Sequence, residues 1–347
     1  MGLDTEFVRE RTYWPHLALV QAAFDDGVVL LIDPLAPGMA DALAQLLRNE
    51  AIVKIMHSAS EDLVALQHAC GALPRPLFDI QIAAALAGVG GGLGYQKLVQ
   101  QLLGVELAKG ETRSDWMRRP LSLAQLDYAS DDVRHLHAIH AHLQQRLVEL
   151  GRLDWLREDC ERLLANAERD EREPWPHLGM RAAQYLDRAS QVRLLRLLRW
   201  RDAQARSSDL PRTWVLDNEF AVRLAQQPPT DVAALQSAME KLPRAPRRLG
   251  DALWQALTTP LPDEAAAPLS QSDDHDRQRL RKLQHAVAHL SEQLQLPESV
   301  LASRRWLQSL LEGQDWPGAL SGWRRAVLEP HFAPILRSAG GAPGSAV

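Results

Sequence analysis

Cysteine is almost absent from this 347-residue chain, with only Cys70 and Cys160. Two thiols make neither a disulfide framework nor a zinc cluster, so a reducing cytoplasm is the expected compartment. Long apolar runs are also missing. No stretch reaches the roughly 18 residues that a membrane helix needs, and no basic-then-apolar leader opens the chain, so neither a membrane nor secretion is expected. No sustained heptad marks a coiled coil, and nothing calls for an obligate protein partner. Lysine is scarce, five among 39 basic residues. Arginine is the better bidentate phosphate ligand, although a GC-rich genome is the simpler source of the bias.

What is present is ordinary globular composition, 46% hydrophobic and 24% charged, in a chain long enough for two or three domains. Charge is unevenly spread. Residues 1–150 hold 18 acids against 12 Lys/Arg, and the remainder 26 against 27. An acidic part beside a near-neutral, Arg-rich part suits a metal–carboxylate site joined to a region that grips a polyanion.

Patterning predicts strands at residues 3–8, 17–24 and 28–32, a helix over 39–49, and a short strand over 52–56. Helical periodicity dominates from Ser60 onward, with loops at 71–76 and at the glycine tract 88–94. Strands first and helices later, with one strand following a helix, predict an α/β domain over 1–150. A helical connector is expected at 151–188, two all-helical domains at 189–268 and 273–337, and a disordered tail at 338–347. The two helical domains rest on a weak repeat at an offset of 86 residues, which lays Leu210-Pro211 on Leu296-Pro297, Trp214 on Val300 and Ala221 on Leu307.

The chemistry concentrates in Leu3-Asp4-Thr5-Glu6-Phe7. Strand side chains alternate, so Asp4 and Glu6 point the same way. They are either the solvated acids of an edge strand or carboxylates that need a cation between them. Asp62 stands where a strand gives way to a helix, a place where acids ordinarily complement the helix dipole. Tyr128 and Asp132 are four apart and share a helical face, as an ordinary polar pair or as a hydroxyl that orients water. Together Asp4, Glu6, Asp62 and Asp132 supply the hard oxygens that Mg²⁺ or Mn²⁺ prefers. Two such ions clamp the attacking and leaving oxygens of phosphodiester hydrolysis.

The order Asp-x-Glu, Asp, Tyr-x-x-x-Asp resembles the DEDDy class of 3′→5′ exonucleases. The surrounding blocks are more specific: Leu3-Asp4-Thr5-Glu6-Phe7-Val8-Arg9, Arg11-Thr12-Tyr13, His57-Ser58-Ala59-Ser60-Glu61-Asp62-Leu63, Arg113-Ser114-Asp115-Trp116, Arg119-Pro120-Leu121-Ser122 and Gln125-Leu126-Asp127-Tyr128-Ala129 are similar to the ribonuclease D family. Trp200-Arg201-Asp202 and Leu210-Pro211-Arg212 are similar to the helicase-and-RNase-D C-terminal (HRDC) module. The resemblance implies an RNase H-like α/β exonuclease domain, with a mixed sheet and flanking helices, followed by two HRDC-like bundles. It implies Asp4, Glu6, Asp62 and Asp132 as ligands of two divalent ions, Mg²⁺ or Mn²⁺, and Tyr128 as the catalytic tyrosine. The implied activity is release of nucleoside 5′-monophosphates from RNA 3′ ends, with tRNA precursors as substrate and the helical modules holding structured RNA. A DNA 3′→5′ exonuclease and a non-catalytic RNA-binding scaffold are the alternatives. Family members carry more chain ahead of the Asp-Thr-Glu strand, so here either the start is misassigned or the first strand is short. The second bundle is the poorer match, and Ile80 and Asp131 depart from the family pattern.

Four other signals are weaker. His135, His137, His140 and His142 do not share one helical face, so a zinc site is not expected. The glycine tract lacks the lysine of a phosphate loop and is expected to be a mobile connection. Arg113, Trp116, Arg118 and Arg119 mix cations with a ring, as single-strand binding surfaces do, although such a Trp is as often a core anchor. Trp155, Trp200, Trp214, Trp254, Trp306 and Trp323 are expected to pack helices.

Overall fold

A computed structural model describes residues 1–107, 110, 114–169, 173–241, 247–270, 274–312 and 316–337. The tail at 338–347 and Arg113 lie outside the described residues. The chain runs β1 (Gly2–Val8), β2 (His16–Ala23), β3 (Val29–Ile32), α1 (Met39–Arg48), β4 (Lys54–Met56), α2 (Ser60–Cys70), β5 (Leu77–Asp79), α3 (Ile80–Leu86), α4 (Tyr95–Leu103), α5 (Leu123–Arg134), α6 (Leu136–Glu149) and α7 (Leu153–Arg169). Then follow α8 (Arg188–Ser208), α9 (Arg212–Val215), α10 (Asn218–Gln226), α11 (Val232–Glu240), α12 (Gly250–Thr258), α13 (Asp274–Leu294), α14 (Glu298–Leu301), α15 (Arg304–Glu312) and α16 (Trp323–Arg337).

The sheet order is β3-β2-β1-β4-β5. β1 pairs antiparallel with β2 and parallel with β4, so the acidic strand is central in a mixed sheet. β2, reading HLALVQAA, is buried along almost its whole length, as a strand covered on both faces must be. Two strands follow helices rather than one. β5 is three residues long, too short to show an alternation, and lies just past the expected 71–76 loop.

The structure divides into two compact units. The first holds β1, the chain from Pro15 through α7, and the chain from His275 onward. Its core therefore includes C-terminal residues: Leu283, Val287, Leu290, Leu301 and Phe332 belong to one apolar cluster with Leu156, Cys160 and Leu164 of α7. Polar ties reinforce that junction. Arg152 donates to the carbonyls of Leu86 and Leu294, and buried Asp159 accepts from Trp323 Nε1 at 2.9 Å and from Arg324 Nη2 at 2.7 Å. The glycine tract is part of this packing and not a loose connection. Gly88 takes a φ of +76°, and side chains at Gly88 and Gly91 would press on Gln295 and Pro297.

The second unit holds Arg9–Trp14 and the chain from the end of α7 to Asp274. Its core is Leu194, Leu197 and Leu198 of α8 against Phe220, Leu224, Leu235, Met239 and Leu253, with Asp187, Asp217 and Asp231 capping α8, α10 and α11. Tyr13 belongs here too. Its hydroxyl accepts from Arg212 at 2.7 Å and donates to Asp202 at 3.1 Å. The expected connector at 151–188 is split, because α7 carries the apolar face that the first unit buries while Ala183 and Leu186 enter the second core.

The repeat is explicit in the backbone. Helices of 21, four and nine residues recur as α8-α9-α10 and α13-α14-α15, displaced by 86 positions. Each long helix is followed by a left-handed residue, Asp209 at φ +49° and Gln295 at +52°. Of the expected packing tryptophans, Trp155 and Trp323 stack at 4.3 Å, but Trp214 is 53% exposed. Helix α9 is a single turn, so helical spacing gives that side chain no buried face.

Candidate active site

Three elements bring the predicted residues together. In β1, Leu3 and Thr5 are buried and turn toward α2, where Thr5 Oγ1 donates to Asp62 Oδ1 at 2.5 Å. Asp4 and Glu6 therefore turn to the opposite face, which α5 covers. Asp62 is 8% exposed in the first turn of α2. Tyr128 and Asp132 share the site-facing side of α5, and the Tyr128 hydroxyl donates to Asp132.

The electrostatics record this convergence. Burial raises the Asp4 carboxyl well above its usual range, and the charges of Asp62, Asp132 and Glu6 raise it further. Burial, then Asp132 and Asp62, push Glu6 up to about 8. Burial pushes Asp62 up to about 7 and Asp132 to about 6, against the hydrogen bonds from Thr5 and Tyr128. The Tyr128 phenol is raised by burial and then by Asp132 and Glu6. No Lys or Arg figures among these causes, so the acids face one another without a protein cation to offset them. Among the described residues, no three His, Cys, Asp or Glu side chains converge to the spacing of a ready-made ion cage. The four acids interact without closing to ligand distance, and Thr5 and Tyr128 each engage one of them. As a donor set, four partly or fully buried carboxylates of raised proton affinity suit a hard divalent ion.

Several supporting residues escaped the sequence reading. Asp79, 1% exposed at the end of β5, accepts from Gln81 and Ile82 to cap α3, and from Ser58 and Ala59 to fix the turn entering α2. The Tyr95 hydroxyl donates to the Asp131 carbonyl and accepts from the His135 N–H, holding the end of α5 that carries Asp132. Gly110 lies so close to Tyr128 that a Cβ would stand 1.7 Å from the ring. The phenylalanine-aspartate step at 78–79 was a signal for the first, because an acid directly before a helix is a capping pattern. Asp131, which departs from the pattern, pairs with Arg134 at 3.0 Å and is not among the converging acids.

The weaker signals resolve into structure. Trp116 is 3% exposed and lies 6.0 Å from the Tyr128 ring, and Arg119 pairs with Asp33 and donates to the Ala18 carbonyl. Neither belongs to an open stacking surface. His137 meets the backbone of Gly2 and Ala23, and His140 packs edge-on to Phe78.

Residues 1–148 match the family model for a 3′-5′ exonuclease, and residues 190–257 match that for the HRDC domain. Ribonuclease D of Xanthomonas oryzae pv. oryzae is 61% identical over 339 residues, covering 97% of this chain and 93% of that protein. Ribonuclease D of a Shewanella species is 35% identical over 346 residues, covering 96% and 88%. The crystal structure of Escherichia coli RNase D, an exoribonuclease involved in structured RNA processing, superimposes with a TM-score of 0.81 at 30% identity, covering 97% of this chain and 92% of that one. A likeness this high in identity that also spans nearly the whole of both partners places the chain in the ribonuclease D family of 3′→5′ exoribonucleases.

Proposed function

We infer that Asp4, Glu6, Asp62 and Asp132 are the ligands of two divalent ions, Mg²⁺ or Mn²⁺, and that Tyr128 is the catalytic tyrosine. The observation that carries this reading is that four carboxyl groups from three separate elements are brought within electrostatic reach of Asp4, which the charges of Asp62, Asp132 and Glu6 all raise, with no protein cation among the causes. Ions held there would stabilise the attacking and leaving oxygens of a phosphodiester. The chain's own part is positional. Thr5 and the Asp79-bound turn fix Asp62, the central strand fixes Asp4 and Glu6, and Tyr128, anchored on Asp132, offers a hydroxyl to orient the attacking water. Hydrolysis from the 3′ end would release nucleoside 5′-monophosphates.

The substrate we infer is structured RNA, in particular tRNA precursors with short 3′ extensions. The E. coli relative's role in structured RNA processing supports this. The stretches 1–150, 189–268 and 273–337 remain our proposal for the sequence modules, with the helices of the last packed into the core of the first unit. We read the helices from α13 to α16 as a second HRDC-like bundle, supported by the 86-residue recurrence of helix lengths. Among the described residues no helix is long and apolar enough to cross a membrane. The cytoplasm is our expected compartment, on two free thiols.

A 5′-labelled tRNA with a 3′ extension, and a DNA of matching sequence, would be incubated with Mg²⁺, Mn²⁺ or chelator. Metal-dependent stepwise shortening of the RNA that stalls at the mature end is the expected result. Equal shortening of the DNA would overturn RNA selectivity, and shortening in chelator would overturn the metal reading.

A further inference from the structure

Gln21 is the one polar residue in the interior of β2, and it is fully buried. Neither its Oε1 nor its Nε2 has a hydrogen-bond partner in the protein. An amide in that condition has given up its hydrogen bonds to water without replacing them, so its presence in a core strand calls for a reason. Its address supplies one. In the β1–β2 ladder Gln21 is the direct partner of Asp4. Cross-strand partners share a sheet face, with Cβ atoms about 4.5–5.5 Å apart. Gln21 therefore lies on the acidic face beneath α5, beside Asp4. Trp116 Nε1 is likewise buried without a partner next to Tyr128.

We propose that Gln21 is a positioning residue of the carboxylate site, its carboxamide serving to orient Asp4 when Asp4 holds a divalent ion. The proposal rests on the reading of Asp4 as a ligand. A ligating carboxylate uses one set of lone pairs on the ion and presents the rest to outer partners, and such partners govern affinity as strongly as some ligands do. Gln21 has an amide N–H pair to donate and stands on the correct strand, face and register, and the fold gives that amide no competing acceptor. A purely structural glutamine here would be replaceable by a residue of like shape with gain rather than loss.

Gln21→Met removes both amide atoms while nearly keeping length and volume, and Gln21→Leu is the second apolar variant. Both would be compared with wild type and Asp4→Asn for Mn²⁺ binding by electron paramagnetic resonance and for thermal midpoint in chelator. The expected result is a midpoint equal to or above wild type together with Mn²⁺ affinity weakened by about 10–100-fold. Unchanged Mn²⁺ affinity in both Gln21 variants, with binding lost in Asp4→Asn, would overturn the proposal and leave the ligand reading intact. Unchanged binding in Asp4→Asn would overturn the ligand reading itself, and this proposal with it. Failure of both apolar variants to fold would also overturn the proposal, because the amide would then be needed by the core rather than by the site.

Discussion

Asp4, Glu6, Asp62 and Asp132 hold protons more tightly in the folded chain than free carboxylates do, and that difference links stability to pH. The folded state binds the additional protons between the ordinary carboxylate range and about pH 8, the level to which Glu6 is raised. The cluster's contribution is therefore complete in acid and is lost as pH climbs through about 6, 7 and 8. His57, His140 and His177, whose pKa values partial or full burial lowers, act in the opposite sense below their ordinary range. The informative quantity is thus the difference between Asp4→Asn and wild type in chelator. The variant's advantage in thermal midpoint should grow from pH 5 to 8.5, and a pH-independent advantage would contradict a carboxyl at Asp4 raised by burial and by its acidic neighbours. Asp79→Ala orphans four backbone donors and should cost at least about 1–3 kcal/mol in urea unfolding. Asp79→Asn keeps the Oδ1 acceptor and should cost less, and equal losses would refute the hydrogen-bond account. Asp4, Glu6 and the Tyr128–Asp132 pair were legible in the sequence because strand alternation and a four-residue helical step place them by arithmetic, whereas Asp62 looked like an ordinary helix-start acid and joined them through the order of the motifs. Gln21, Tyr95 and Gly110 were not, since their roles arise from which strand, helix and loop lie opposite them.

At the level of elements, a pattern was readable in proportion to its length. The strands of seven and eight residues are long enough to be recognised, one by its alternating acids and the other as an apolar run, whereas β5 has three residues and is defined only by its pairing with β4. The glycine tract looked like slack in isolation, yet Gly88 and Gly91 leave space that Gln295 and Pro297, two hundred residues on, occupy. Asp159 shows the same dependence on distant partners. It accepts from Trp323, Arg324 and Arg162 while only 4% exposed. Asp159→Ala would strand the buried Arg324 guanidinium, so a loss of about 3–5 kcal/mol is expected. Urea unfolding measures it, and a loss below 1 kcal/mol would mean that water already reaches the arginine.

For the whole molecule, the C-terminal helices are structural members of the first unit. Ending the chain before α13 would remove Leu283, Val287, Leu290, Leu301 and Phe332 from the core they share with α7, each side chain worth about 1.5–3 kcal/mol of burial. The truncated protein should melt at a markedly lower temperature by circular dichroism, and an unchanged midpoint would show that these helices are a dispensable appendage. The central claim, that an exoribonuclease works through four carboxylates on three elements, is tested most directly by Asp132→Asn. Its turnover of a 3′-extended RNA in Mg²⁺ would be measured beside RNA affinity and thermal midpoint. The account predicts that turnover is abolished while affinity is retained and the fold is as stable as wild type or more so. Turnover at the wild-type rate in a folded Asp132→Asn protein would contradict it.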